Sequence, residues 1–202
     1  GSTMQRDHAW HGTRHGDDLD PPEQIGRLAG TRAVAKLNPS KPKPGRLPVL
    51  FDPRIAGSLL THFAAAITGG AIARKGSFLL DMLGERIFAS GIRIVDDPLR
   101  IRGLRSRPFD GEGLAVARME VVSDGILKTW TAESASARQH GIQPTGHAVR
   151  GVSGAPGAGP SNLFIGPGSR TRGELLGAFP QAWITGDGPA AVFLAEALQQ
   201  LD

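Results

Sequence analysis

The stretch LLTHFAAAITGG, Leu59 to Gly70, decides how the rest of the chain is read. Ile55, Leu59, Leu60, Phe63 and Ile67 recur at helical spacing and form one bulky stripe. Ala64, Ala65, Ala66, Gly69 and Gly70 leave little side-chain bulk and allow close backbone approach. Asp52-Pro53 supplies a start signal, with Asp52 as cap and Pro53 in the first turn. The pattern predicts a central helix packed on several sides. No formally charged residue lies between Arg54 and Arg74, a length that could span a bilayer. Ser58, Thr61, His62 and Thr68 are too polar for so few large apolar neighbours, so a buried helix of a soluble domain is the better reading.

Outward toward the N-terminus, LPVLF (47–51) reads as a short strand. NPSKPKPG before it is a stiff proline-rich connector. Asp20-Pro21-Pro22-Glu23 predicts a helix start, followed by an apolar stripe through Ile25, Leu28, Val34 and Leu37. His8, His11 and His15 have one-face spacing only if residues 1–20 are helical. Gly12 and Gly16 argue for a surface strand or loop instead.

Toward the C-terminus, SFLLDMLGERIF is a short helix or turn, and GIRIVDDP is a strand. Residues 99–113 form a loop dense in Arg and Gly. Leu114–Val122 and Ile126–Ala132 pair as a hairpin across Ser123-Asp124-Gly125. A helix from Glu133 to His140 stops at Gly141. GVSGAPGAGP is a linker or mobile loop, and NLFIGPG a strand. Thr171 and Glu174 make a capping box for one more helix, and PAAVFLAEALQQLD reads as helical. The units are 1–38 (strand or loop plus helix), 39–46 (connector), 47–180 (main domain) and 181–202 (tail).

Bulk composition narrows the function classes. At 202 residues, 40% hydrophobic and 21% charged, the chain can bury a core and is not disordered. The 28 glycines and 15 prolines favour a turn-rich mixed fold over a helix bundle. The absence of cysteine excludes disulfides, thiolate nucleophiles and Cys-bound zinc. A net charge of +4 is a modest excess, which keeps nucleic-acid binding a subordinate reading. The first residues carry no apolar signal-peptide core.

Few residues can carry chemistry. A His-based zinc site on a helix needs a second His and an acid, and 57–70 holds only His62. The stretch DDPLRIRGLRSRPFDGEG sets Arg100, Arg102, Arg105 and Arg107 against Asp96, Asp97, Asp110 and Glu112. It reads first as a loop salt-bridged to itself, and second as an anion or peptide-carboxylate clamp. The acidic pairs lack a complete calcium-loop pattern. In PTGHAVRG, His147 sits in a Gly-bounded loop near Arg150, as a base or substrate contact or as plain loop structure. The Gly-rich 151–159 has no phosphate-loop signature.

Several ordered motifs together carry a family resemblance. FDPRIAGSLL, GAIARKGSFLLDMLGERIF, GIRIVDDP, RGLRSRPFDGEG, DGILKTW, PTGHAVRG and NLFIGPG resemble the C-terminal half of PmbA/TldE proteins of the TldD/PmbA family. The likeness runs from about Met4 to about Phe179. It implies a cytoplasmic two-subunit metalloprotease acting on peptides or unfolded chains. In that arrangement the TldD-like partner carries an HExxxH-type motif with zinc, and the TldE-like subunit is non-catalytic. Laid on this sequence, the motif falls at Thr61 to Ala66, with His62 where the Glu would stand. After Phe179 the family's Gly-rich closing strands are not matched.

The expectation is therefore an α+β fold with curved, barrel-like antiparallel sheets around the buried Ala/Gly-rich helix. No metal or catalytic residue is expected in this chain. Arg105, Arg107, His147 and Arg150 are the candidate peptide contacts, with a TldD-like subunit as partner and neither nucleic acid nor membrane. The rivals are a self-sufficient metallopeptidase using His62, His147 and an acid, and an Arg-rich nucleic-acid module at 93–107.

Overall fold

The computed structural model describes residues 4–38, 48–179, 183–185 and 193–194. Leu47, the connector 39–46 and most of the tail lie outside them. After a 3₁₀ turn at Gly16–Asp18, helix α1 runs Pro22–Ala35, strand β1 Val49–Phe51, α2 Pro53–Ala66 and α3 Gly69–Ala73. Then follow β2 Ile94–Asp96, β3 Met119–Ser123, β4 Ile126–Leu127 and α4 Ser134–His140. The chain continues through β5 Ala148–Val149, β6 Gly157–Ala158, β7 Leu163–Ile165 and α5 Arg172–Ala178. Strands β8 Trp183–Thr185 and β9 Phe193–Leu194 complete the described elements.

The local signals act as their chemistry predicts. The Asp52 carboxylate accepts the Arg54 N–H at 2.9 Å and caps α2. Asp124 and Gly125 both take positive φ, 49° and 77°, which makes the two-residue β3–β4 turn a type I′ bend. Gly141 ends α4 in the left-handed region, and Thr171 and Glu174 close a reciprocal capping box on α5. At α1 the start differs. Pro21 is the cap residue and no side chain caps the helix. The N–H of Asp20 donates instead to His11 Nδ1 at 3.1 Å, tying the N-terminal segment to the helix entrance. SFLLDMLGERIF folds as consecutive turns, pinned where Ser77 Oγ donates to the Ala66 carbonyl.

The principal sheet has the order β4-β3-β2-β7, all pairs antiparallel. A bulge shifts the β2–β3 register at Ile94/Val95, so Val121 and Val122 are both buried instead of alternating. These valines meet Phe63 of α2, Ile67 just past its end, Ile72 of α3, Leu127 and Trp130 in one apolar core. Burying Phe63 or Ile67 contributes about 1.5–3 kcal/mol each over leaving it exposed. The Gly-rich 151–159 is not wholly loop, because β6 pairs with β5.

Two expectations about shape are corrected. Among the described residues the sheets are open, with the four-stranded sheet ending at β4 and β7, so no barrel closes there. One sheet is also mixed, since β1 pairs parallel with β8 and antiparallel with β9. Helix α2 is not enclosed either. Ala56, Phe63 and Ala64 are buried, but Thr61 and His62 are exposed, and Ile55 and Leu59 are 41% and 40% exposed. An apolar stripe says which face wants cover and not how much cover the same chain provides. Of the tail expected to be helical, the described residues are the strands β8 and β9. No helix among the described residues is long and apolar enough to cross a membrane.

Candidate functional site

Strand β2 is buried along its whole length, yet it ends in a carboxylate, Asp96, only 1% exposed. A buried carboxylate demands partners. Its Oδ2 is 3.1 Å from His147 Nε2 and accepts the Ser161 hydroxyl at 2.6 Å, while the Ser161 N–H donates to both carboxylate oxygens. His147 is 2% exposed, and its Nδ1 lies 2.8 Å from the Thr145 carbonyl. Burial pushes the Asp96 carboxyl up, but the hydrogen bonds from His147 and Ser161 outweigh it and hold the group below the usual carboxylate range. The geometry is not that of a nucleophile triad: the serine hydroxyl donates to the acid and makes no bond to the imidazole. It is a polar clasp that joins β2, the start of β5 and the entrance to β7.

Two loops hang from this clasp. Asn162, next to Ser161, donates to the Asp97 carbonyl and the Ser106 hydroxyl and accepts the Arg105 N–H at 3.0 Å. The Arg107 N–H donates to the Pro98 carbonyl. On the other side, Asp110 accepts the N–H groups of Glu112, Leu114 and Ala148, and Gly111 pairs with Ala148. Glu112 accepts both the N–H and the hydroxyl of Ser134.

The acids of the Arg-rich stretch are thus engaged by amides, hydroxyls, an imidazole and, for Asp97, by Arg118 from outside the stretch at 3.9 Å, and the expected self-salt-bridged loop does not form. Arg102 pairs away from the loop, with Asp18. Among the described residues, Arg105, Arg107 and Arg150 have no acidic partner. Arg105 and Arg150 are exposed, whereas Arg107 is half-buried with two guanidinium nitrogens shut from solvent and unbonded. The structure hangs Arg105 and Arg107 on one loop and Arg150 at the end of β5. His147 is buried in the Asp96 clasp as part of the scaffold. Sequence reasoning singled out His147 but missed its partners Asp96 and Ser161. A carboxylate closing an apolar strand was the available signal.

The metal motif implied by the resemblance would fall at 61–66. Thr61 donates its hydroxyl back to the Gly57 carbonyl, His62 stands exposed on α2, and Ala66 has no donor atom. Among the described residues no group of three or more His, Asp or Glu side chains could hold a metal ion. The donor set here does not fit zinc.

The open antiparallel sheet with its bordering helices is a metallopeptidase-type C-terminal domain: the family model described as PmbA/TldA metallopeptidase C-terminal domain matches residues 44–184. The chain belongs to the PmbA/TldD metallopeptidase family. Metalloprotease PmbA of Escherichia coli O157:H7 is 40% identical over 145 residues, covering 72% of this chain and 32% of that protein. The PmbA homolog of Haemophilus influenzae is 38% identical over 145 residues, with the same shares covered. A modulator-of-DNA-gyrase protein from Thermotoga maritima superposes with a TM-score of 0.75 at 32% identity, over 83% of this chain and 38% of that one. TldE from Thermococcus kodakarensis shares the fold, with a TM-score of 0.73 at 23% identity over 84% of this chain and 39% of that one. The chain spans about a third of the length of the curated relatives it matches.

Proposed function

We propose that this chain is the C-terminal part of a non-catalytic, PmbA/TldE-like subunit of a cytoplasmic metalloprotease that cleaves peptides or unfolded chains. A TldD-like partner holds the zinc and performs hydrolysis. The observation that carries this reading is the donor set of α2, where one exposed imidazole stands without an acid or a second histidine. The names of the curated relatives support the protease context. Peptide adds as a strand to an open sheet edge, with affinity from backbone hydrogen bonds. Arg105, Arg107 and Arg150 contact it with guanidinium groups that no carboxylate of the described chain neutralises, and His147 positions their loops.

Two measurements test this together. The purified 202-residue chain is assayed for peptide hydrolysis with and without added zinc, and its metal content is determined by elemental mass spectrometry. Neither turnover nor stoichiometric metal is expected. Stoichiometric zinc with turnover would replace this reading by a self-sufficient metallopeptidase. Mass analysis of what co-purifies from the native host is expected to return a chain bearing an HExxxH-type motif.

A further inference from the structure

A cleft of about 820 Å³ lies between the N-terminal segment, α1 and α2, away from the Asp96 clasp. Four cations line it: Arg6, Arg32, Lys36 and Arg54. Two are already matched. The Asp7 carboxylate, its side chain 3% exposed, pairs with Lys36 at 2.9 Å and Arg54 at 3.3 Å, and Arg54 also reaches Asp52. Lys36, then the His8 N–H, then Arg54 hold the Asp7 carboxyl well below the usual carboxylate range. A carboxylate therefore already sits well in this cleft.

Arg32 is not matched. It is 7% exposed, and Nη1 makes only a long bond to the His8 carbonyl, 3.4 Å. Its Nε is buried without a hydrogen bond, and among the described residues no carboxylate lies within ion-pair distance. A buried guanidinium without a counter-charge is costly, so the arrangement is incomplete as it stands. Beside it the wall is apolar: Trp10, Leu28 and Ile55 line the same space. A cation at the bottom and an apolar wall alongside suit an amphipathic anion. With Lys36 and Arg54 taken by Asp7, one buried guanidinium fits a planar monoanion better than a dianionic phosphate.

We infer that this cleft binds a peptide carboxylate flanked by an apolar side chain, with Arg32 as its counter-ion and Arg6 as an outer contact. The carboxylate comes either from a peptide C-terminus or from an Asp or Glu side chain. This site does not depend on the protease-subunit reading, because its readout is binding to the chain alone.

Calorimetric titration of the 202-residue chain tests it with three peptides: Ac-Ala-Ala-Leu with a free carboxylate, the same peptide as its amide, and amidated Ac-Ala-Glu-Leu. Inorganic phosphate serves as competitor. Saturable binding of the first peptide, about tenfold tighter than its neutral amide, is expected for a charge-assisted bond. Comparable binding of the Glu peptide would show that either carboxylate serves, and its failure would assign the terminal one. Arg32→Gln is expected to weaken binding about tenfold. If circular dichroism shows that variant unfolded, the exposed Arg6→Ala gives a smaller loss on an intact fold. Equal binding of acid and amide, no saturation by either acidic peptide up to about 10 mM, or phosphate binding tighter than both would overturn the inference.

Discussion

Nε2 of His147 stands 3.1 Å from Oδ2 of Asp96, and both side chains are shut off from solvent. The pair ties the beginning of β5 to the end of β2 across a sequence separation that leaves nothing local to hold it. Replacing the carboxylate by an amide gives the Ser161 N–H and hydroxyl a poorer acceptor in a site closed to solvent. Asp96→Asn is expected to lower stability by about 2–3 kcal/mol. Ser161→Ala, which removes one hydroxyl donor, should cost about 1–2 kcal/mol. Urea denaturation measures both, and an unchanged midpoint for Asp96→Asn would refute the clasp.

Acid should attack the same structure. Asp96 and Asp7 both hold their carboxyls below the ordinary value in the folded chain. Each therefore contributes stability that is complete above the unfolded carboxyl's pKa, about 3.9, and fades as pH falls through the lower folded value. The urea midpoint is expected to be level near neutrality and to decline below about pH 4. Asp7→Asn should remove part of that decline, and an identical acid limb in the variant would count against the Asp7 ion pairs.

The hairpin turn makes a backbone prediction. Gly125 has φ of 77°, and a methyl group there would collide with the Phe88 carbonyl. Gly84 has φ of 87° but open space around its Cβ position. Gly125→Ala should cost well over about 1 kcal/mol, and Gly84→Ala clearly less, because only the first adds a clash to strain. Thermal melts of the two variants check the ranking.

His62 should be nearly silent. It is exposed and, among the described residues, makes no hydrogen bond or ion pair, so His62→Ala is expected to shift stability by less than about 0.5 kcal/mol. Ile67→Ala, one turn along on the buried face, should cost about 2–5 kcal/mol. A large loss of stability in the His62 variant would show that the imidazole has a structural partner.

What the sequence disclosed was mostly local. The Asp52 cap, the Asp124-Gly125 bend, the Gly141 stop and the Thr171/Glu174 box each depend on residues within a turn of one another, and each is where the spelling predicts. The Asp96–His147–Ser161 clasp was hidden because its members meet only when β2, β5 and β7 come together. Arg32 was passed over inside the α1 stripe, where a charged residue normally faces water. The cover on α2 was overestimated for a related reason. Periodicity fixes which face is apolar, and only the neighbouring elements fix how much of it is enclosed.

The parallel pairing of Val49 with Trp183 joins residues roughly 130 positions apart. During synthesis β1 leaves the ribosome long before its neighbour exists, a wait of roughly seven to twenty-seven seconds at ordinary translation rates. The β3–β4 hairpin can close meanwhile, since its turn is complete within a few residues. The nascent polypeptide thus carries an unpaired β1 edge throughout that interval, and this end of the domain is where a holding chaperone would be needed.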